Sequence, residues 1–431
     1  MSYSKSVRKR GVILSATGWD KFQTCKRECE FRENNANRYT YEELSDRTGL
    51  SLHTISRVIG RTEAVDKLSL EYCFRAFGLE LDKADYTRPS EVKAVDWGEA
   101  MDISAFVGRS EELMQLHQWV LIEQCRLVAV LGMGGIGKTA FALKFAKQAQ
   151  HKYDYVKWLS LSQAPSFDTL VAELVSFLSN QQESTADMGR LMHYLRTSRC
   201  LIVFDNLETV LEAGHPGVYR PGYERYGELL RVVGETSHQS CLILTSREKP
   251  AEIAAIEGDL FTVRSLKLSG SKEAALTLMR AKGLVGTEAQ QQQLCEYYGY
   301  NPQAMKIVAT SIHDLFDGDI AEFLNQNTIV FNGIRRLLKQ QFHRLSKLEQ
   351  SIMYWLARNQ EWTTIAQLRS QIVPTVSAAD LLEGLEGLNW RSLIEKQSRC
   401  YTLQPMWMEY VSEQLTQHMD TNLTSSWAKA A

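Results

Sequence analysis

Gly132-Met133-Gly134-Gly135-Ile136-Gly137-Lys138-Thr139 fits the pattern GxxxxGK[ST] at every required position. The apolar run Leu127–Leu131 before it has strand length, and Thr139 to about Gln150 after it has helical spacing. A strand, a glycine-rich turn and a helix in that order form a phosphate cradle. Glycines let the backbone turn back and aim N–H groups at phosphate oxygens, and the helix N-terminus adds its positive end. Lys138 reaches the β- and γ-phosphates and the Thr139 hydroxyl ligates magnesium. Gly132, Gly134, Gly135, Ile136, Gly137 and Ala140 complete the expected binding wall. The ligand this predicts is a purine nucleoside triphosphate with Mg2+.

Working outward, apolar runs at Tyr155–Leu161, Cys200–Asp205 and Cys241–Thr245 alternate with helical stretches, which predicts a parallel α/β sheet. Two of these strands end on chemistry. Cys200–Asp205 delivers Asp205, whose carboxylate is placed to hold Mg2+ through water. Asn206 follows where many hydrolases carry a second acid, leaving Glu208 as the candidate base, with a surface glutamate as the alternative. Cys241–Thr245 leads into Ser246-Arg247, and an arginine at that edge neutralises or senses a γ-phosphate. Gly214–Gly227, rich in Gly, Pro and Tyr, reads as a long surface loop.

The chain of 431 residues is long enough for about three domains. Its net charge of -2 excludes a uniformly basic nucleic-acid coat. Eight scattered cysteines offer no four-ligand zinc set and suit a reducing compartment. No run approaches the length of a membrane helix, so a cytoplasmic protein is expected.

Residues 1–88 read as short helices. Thr40-Tyr-Glu-Glu43 is a capping box opening a first helix, Gly49 ends it, and Ser51 caps a second from Leu52 to about Ile59. Leu44, Leu50, Ile55 and Val58 form the apolar seam. The stretch ELSDRTGLSLHTISRVIGR resembles repressor-type helix-turn-helix domains, which implies DNA contacts from Ser51, His53, Thr54 and Arg57, with Arg61 and Arg8-Lys9-Arg10 near phosphates. Helix-turn-helix folds also serve as protein-docking modules.

The ordered motifs together resemble the NB-ARC group of STAND nucleotide-switch ATPases. Phe106-Val107-Gly-Arg109-Ser-Glu111 is similar to the family's hhGRxxE lead-in, which implies adenine recognition near Phe106 and Val107 and a binding role for Arg109. Gly299-Tyr-Asn-Pro302 is similar to the GxP motif, whose proline packs on adenine; Pro302 also suits a first helical turn. Gln404 stands where many relatives carry a phosphate-touching histidine; glutamine donates a hydrogen bond but carries no charge.

The resemblance implies a multidomain chain: an all-α helix-turn-helix domain over residues 1–88, a linker over 89–101 and an α/β P-loop NTPase core over 102–265. A helical subdomain over 266–330, a winged-helix domain over 331–418 and a tail over 419–431 complete it. It implies an ATP/ADP-dependent switch with slow hydrolysis and Mg2+, monomeric with ADP and homo-oligomeric with ATP. Family members carry a repeat array that senses the signal; no repeat is visible here, so a separate sensor protein is an expected partner. The output is read as DNA-binding transcription regulation. The alternatives are a protein-interaction scaffold in signalling or anti-phage defence, and a continuously working ATPase motor, against which Asn206 argues.

Overall fold

The computed structural model describes residues 11–34, 37–60, 64–87, 94–372 and 376–427, and the chain divides into two compact units, Met1–Lys93 and Ala94–Ala431. Arg8, Lys9, Arg10 and Arg61 lie outside the described residues.

In the first unit, β1 (Gly11–Leu14) is followed by α1 (Ala16–Glu33), α2 (Tyr41–Thr48), α3 (Leu52–Gly60), β2 (Val65–Asp66), α4 (Lys67–Ala76) and β3 (Tyr86–Thr87). The unit is therefore not all-α. The run Gly11-Val-Ile-Leu14 pairs antiparallel with β2 on one side and β3 on the other, because its β-branched residues bury on a pleat. Thr40 and Glu43 make the reciprocal capping box of α2, and Gly49 closes it at φ 71°. Ser51 Oγ accepts from the Thr54 N–H at the start of α3. Leu44, Ile55 and Val58 are buried between the helices, with Leu50 packed alongside.

The second unit opens with β4 (Ala94–Asp96), α5 (Ser110–His117), β5 (Leu127–Leu131), α6 (Lys138–Ala149), β6 (Tyr155–Ser160), α7 (Phe167–Leu178) and α8 (Met188–Thr197). Then come β7 (Cys200–Asp205), α9 (Arg225–Glu235), β8 (Cys241–Ser246), α10 (Ala251–Ile256) and β9 (Val263–Lys267). Six parallel strands lie in the order β4-β6-β7-β8-β5-β9. Every residue of β5, β7 and β8 is buried, the mark of a parallel sheet covered on both faces. β7, β8 and β5 are neighbours, so the turns leaving their carboxyl ends converge on one edge, where such sheets bind ligands.

Two expectations change here. Ala94–Asp96, read as linker, is an edge strand on β6, held also by Lys157 Nζ on Asp96 Oδ2 at 2.6 Å. Gly214–Gly227 is not simply a surface loop: Tyr219 and Tyr226 are buried in the sheet core, and Tyr226 Oη donates to the Pro165 carbonyl at 2.8 Å. Aromatic anchors supply the burial that a glycine- and proline-rich composition conceals.

The remainder is helical: α11 (Lys272–Ala281), α12 (Glu288–Tyr297), α13 (Pro302–Phe316), α14 (Ile320–Leu324), α15 (Asn332–Phe342) and α16 (Lys347–Asn359). β10 (Thr363–Thr364), α17 (Ile365–Gln371), α18 (Ala378–Trp390), β11 (Glu395–Gln397), β12 (Cys400–Thr402) and α19 (Pro405–Trp427) follow. The three short strands form an antiparallel sheet in the order β10-β12-β11. One hydrophobic cluster runs through α11 to α19 and also takes in Met133 of the phosphate loop. Among the described residues no helix is long and apolar enough to cross a membrane.

Candidate functional site

The phosphate loop leaves β5 and enters α6 at Lys138. Gly137, the N-cap, has φ 98°, and Gly135 has φ 82° with Gln303 and Asn301 so close that a Cβ there would meet them at 2.7 and 2.9 Å. Only glycine satisfies both the left-handed backbone and the close approach.

Lys138 is 7% exposed and its Nζ donates to the carbonyls of Gly132 (2.8 Å) and Met133 (3.1 Å). The ammonium is thus folded onto its own loop. Burial lowers its pKa to about 8, with Glu208 and Asp205 opposing the fall and Arg247 adding to it.

Asp205 is buried at the end of β7, and its Oδ1 accepts from Thr139 Oγ1 at 2.8 Å and from Thr245 Oγ1 at 2.5 Å. Burial raises the Asp205 carboxyl above the ordinary range, against the pull of the two hydroxyls. The donor set suits a hard dication: a threonine hydroxyl and a carboxylate already in contact, beside a loop shaped for phosphate. Asn206 sits at φ 65°, a left-handed conformation asparagine tolerates, with its N–H donating to Thr245 Oγ1 at 3.1 Å.

Glu208 and Arg247 meet each other. Arg247 Nε lies 3.0 Å from Glu208 Oε1, and the Arg247 backbone N–H donates to Oε2 at 3.2 Å. Glu208 is buried rather than on the surface, and both its oxygens are engaged by Arg247. The Arg109 guanidinium donates to the carbonyls of Ile136 (3.1 Å) and Ser269 (2.6 Å) and pairs with Glu112. It braces the back of the phosphate loop. Phe106 and Val107 are half-buried in the segment just before it, and the Phe106 N–H donates to the Ile103 carbonyl.

Pro302 is the first residue of α13, with Asn301 as N-cap. Asn301 Nδ2 donates to the Gly134 carbonyl at 2.9 Å and the Gln303 N–H to the Gly135 carbonyl at 3.2 Å, so this helix start docks directly on the loop. Gln404 lies against Gly299, where an added Cβ would meet its Oε1 at 2.7 Å.

Several residues here escaped sequence reasoning. Gln341 of α15 accepts the Gly134 N–H on Oε1 at 2.9 Å. Glu248 receives Arg344 and Arg391. The signal for Gln341 was present: Ile334, Leu337, Leu338, Gln341 and Phe342 trace one buried helix stripe, and glutamine is its single polar member.

In the first unit, Ser51 Oγ and Thr54 Oγ1 bond each other at 2.9 Å, and His53 is exposed. Arg57, expected to reach base edges, instead donates to the Ala64 carbonyl after α3.

Residues 109–287 match the family model of the NB-ARC domain. An uncharacterized WD repeat-containing protein of Nostoc sp. is 48% identical over 344 residues, covering 75% of this chain and 27% of that protein. A nucleotide-binding leucine-rich repeat (NLR)-like protein of Hyaloscypha variabilis is 26% identical over 242 residues, covering 53% of this chain and 23% of that protein. The chain spans about a quarter of the length of these relatives. Among solved structures, the Walker-type ATPase of Pyrococcus abyssi is similar with a TM-score of 0.52 at 14% identity, over 71% of this chain and 95% of that one. That likeness is one of fold.

Proposed function

With an NB-ARC nucleotide-binding domain as the premise, we propose that the chain is an ATP/ADP switch whose C-terminal helices close over the phosphate loop and release it when the nucleotide changes. One observation carries this reading. The loop that must receive phosphate has its Met133 side chain in the hydrophobic cluster of α11 to α19 and its Gly134 N–H on Gln341 of α15. The catch is built on the binding element itself.

In this reading Lys138 and the loop amides hold the polyphosphate, and Thr139 and Asp205 hold Mg2+. Mg2+, when bound there, would supply neutralisation of the phosphate charge. Arg247 leaves Glu208 to meet the γ-phosphate. Phe106, Val107 and Pro302 contact the base, and Gln404 donates to phosphate in the closed form. Turnover is slow, because Asn206, which follows Asp205, is no base.

ADP favours the closed monomer and ATP an open homo-oligomer, with a separate sensor protein as the source of the signal. The β10-β12-β11 sheet with α16 to α19 supports a winged-helix reading of the C-terminal region. The capped pair α2 and α3 supports a helix-turn-helix output domain that meets DNA through Ser51, His53, Thr54 and Arg61.

A second output, protein docking, is favoured by a specific observation: Tyr41, Leu52, Leu68 and Tyr72 are each about half exposed on this unit, and Arg57 is engaged internally. Size-exclusion of the full chain with ADP and then with ATP and Mg2+ tests the switch: a shift to higher mass with ATP alone supports it, and identical profiles oppose it. Selection from random duplexes at two salt concentrations decides the output. Salt-dependent capture supports DNA, and none at low salt supports docking.

A further inference from the structure

We propose that Gln341 is the residue that reads whether a third phosphate is present; this rests on the nucleotide-switch reading and deepens it. The start of α6 takes the phosphates nearer the nucleoside, because its N–H groups and positive end lie there. The front of the loop, residues 132–134, is then the γ end. Lys138, whose task is the β- and γ-phosphates, has its ammonium at this front, on the carbonyls of Gly132 and Met133. Gln341 stands at the same place.

Gln341 is 5% exposed, its Oε1 takes the Gly134 N–H at 2.9 Å, and its Nε2 donates back to the Leu337 carbonyl one turn earlier at 3.3 Å. Reversing the amide would set two donors face to face, so the acceptor orientation follows from the partners. The fit is also tight: a Cβ on Gly134 would lie 3.1 Å from the Gln341 Cδ.

A neutral amide is a substitute for phosphate oxygen at this N–H, but not one that coexists with it. A diphosphate leaves the front of the loop to Gln341. A triphosphate competes for the Gly134 N–H, and Gln341 must then withdraw. Because Leu337, Leu338 and Phe342 of the same helix are buried in the C-terminal cluster, withdrawal moves α15 and not just one side chain. Discrimination between ADP and ATP therefore resides in a residue 207 positions from the glycine it caps.

The test is competition binding of ADP and ATP, with Mg2+, to the full-length chain and its Gln341 variants. Gln341→Ala frees the amide, and Gln341→Leu, close in volume, keeps the packing while deleting the acceptor, so one of them remains informative if the other does not fold. Each is expected to raise the ATP-to-ADP affinity ratio about tenfold, because the closed form loses its hydrogen bond. Gln341→Glu sets a carboxylate beside the third phosphate and is expected to lower the ratio by a similar factor. Ratios within about twofold of wild type in folded variants overturn the proposal while leaving the nucleotide reading intact. Failure of the wild-type chain to bind either nucleotide overturns that reading instead.

Discussion

Arg344 Nε donates to Glu248 Oε1 at 2.6 Å, one residue beyond the Arg247 that pairs with Glu208 at 3.0 Å. The edge of β8 therefore faces two ways: Arg247 toward the phosphate site and Glu248 toward the C-terminal helices. Arg391, at the end of α18, lies 3.4 Å from the other Glu248 oxygen and also pairs with Glu349. Arg344 further donates to the carbonyls of Glu208 and Leu211 at 3.1 Å. Arg344, two residues after α15, is thus bonded both to Glu208 and to the neighbour of Arg247.

Glu248 is 2% exposed, and removing it takes a carboxylate from the buried Arg391, which keeps Glu349, and from the partly exposed Arg344, which keeps two carbonyls. Glu248→Ala should cost about 3 kcal/mol in stability, in the range found when one member of a buried pair is deleted. Denaturant melts of the single and double variants with Arg344→Ala check this. A coupling energy near zero would mean that the two residues do not act together.

The Lys138 pKa near 8 sets a pH dependence for binding. A polyphosphate partner raises that pKa, so binding takes up a proton wherever the pH exceeds about 8. Affinity should be full below that value and fall as pH rises above it, by up to about tenfold per unit. Calorimetry at pH 8.5 in buffers of different ionisation enthalpy should report uptake of a fraction of a proton; identical heats would contradict it.

Asp205→Asn keeps the size of the side chain and removes the anion that Mg2+ requires. The variant should bind ATP about tenfold more weakly than wild type in Mg2+, and nearly as well as wild type in EDTA. An equal loss in both conditions would assign Asp205 to packing with Thr139 and Thr245.

In the first unit, Gly49 lies at φ 71° with nothing within 4 Å of an added Cβ. The cost of Gly49→Ala is then purely that of the left-handed backbone, about 1 kcal/mol, and Gly49→Asn should recover part of it. Thermal melts of the two variants measure the difference.

The strands β5, β7 and β8 and the loop after β5 were legible because each is a local pattern: a buried run, then glycines, lysine or aspartate at its end. The edge strand β4 was not, since Ala94-Val-Asp96 is too short and mixed to stand out from a polar segment. The strand β1 of the first unit is apolar, but its four residues are too few to set a period. Roles were harder than positions. Arg109 has the right sequence neighbours, yet its partners are carbonyls 27 and 160 residues away. Gln341 meets Gly134 and Arg344 meets Glu248 across long separations, and no spacing rule along the chain encodes such a meeting.

Isothermal titration of ADP and of ATP into the wild-type chain and Lys138→Ala tests the central claim most directly. Saturable binding of both nucleotides by wild type, weakened about a hundredfold by the substitution, is the predicted result, since the lysine makes charge-assisted contacts to two phosphates. Equal binding by the two proteins, or none by wild type, would contradict the account.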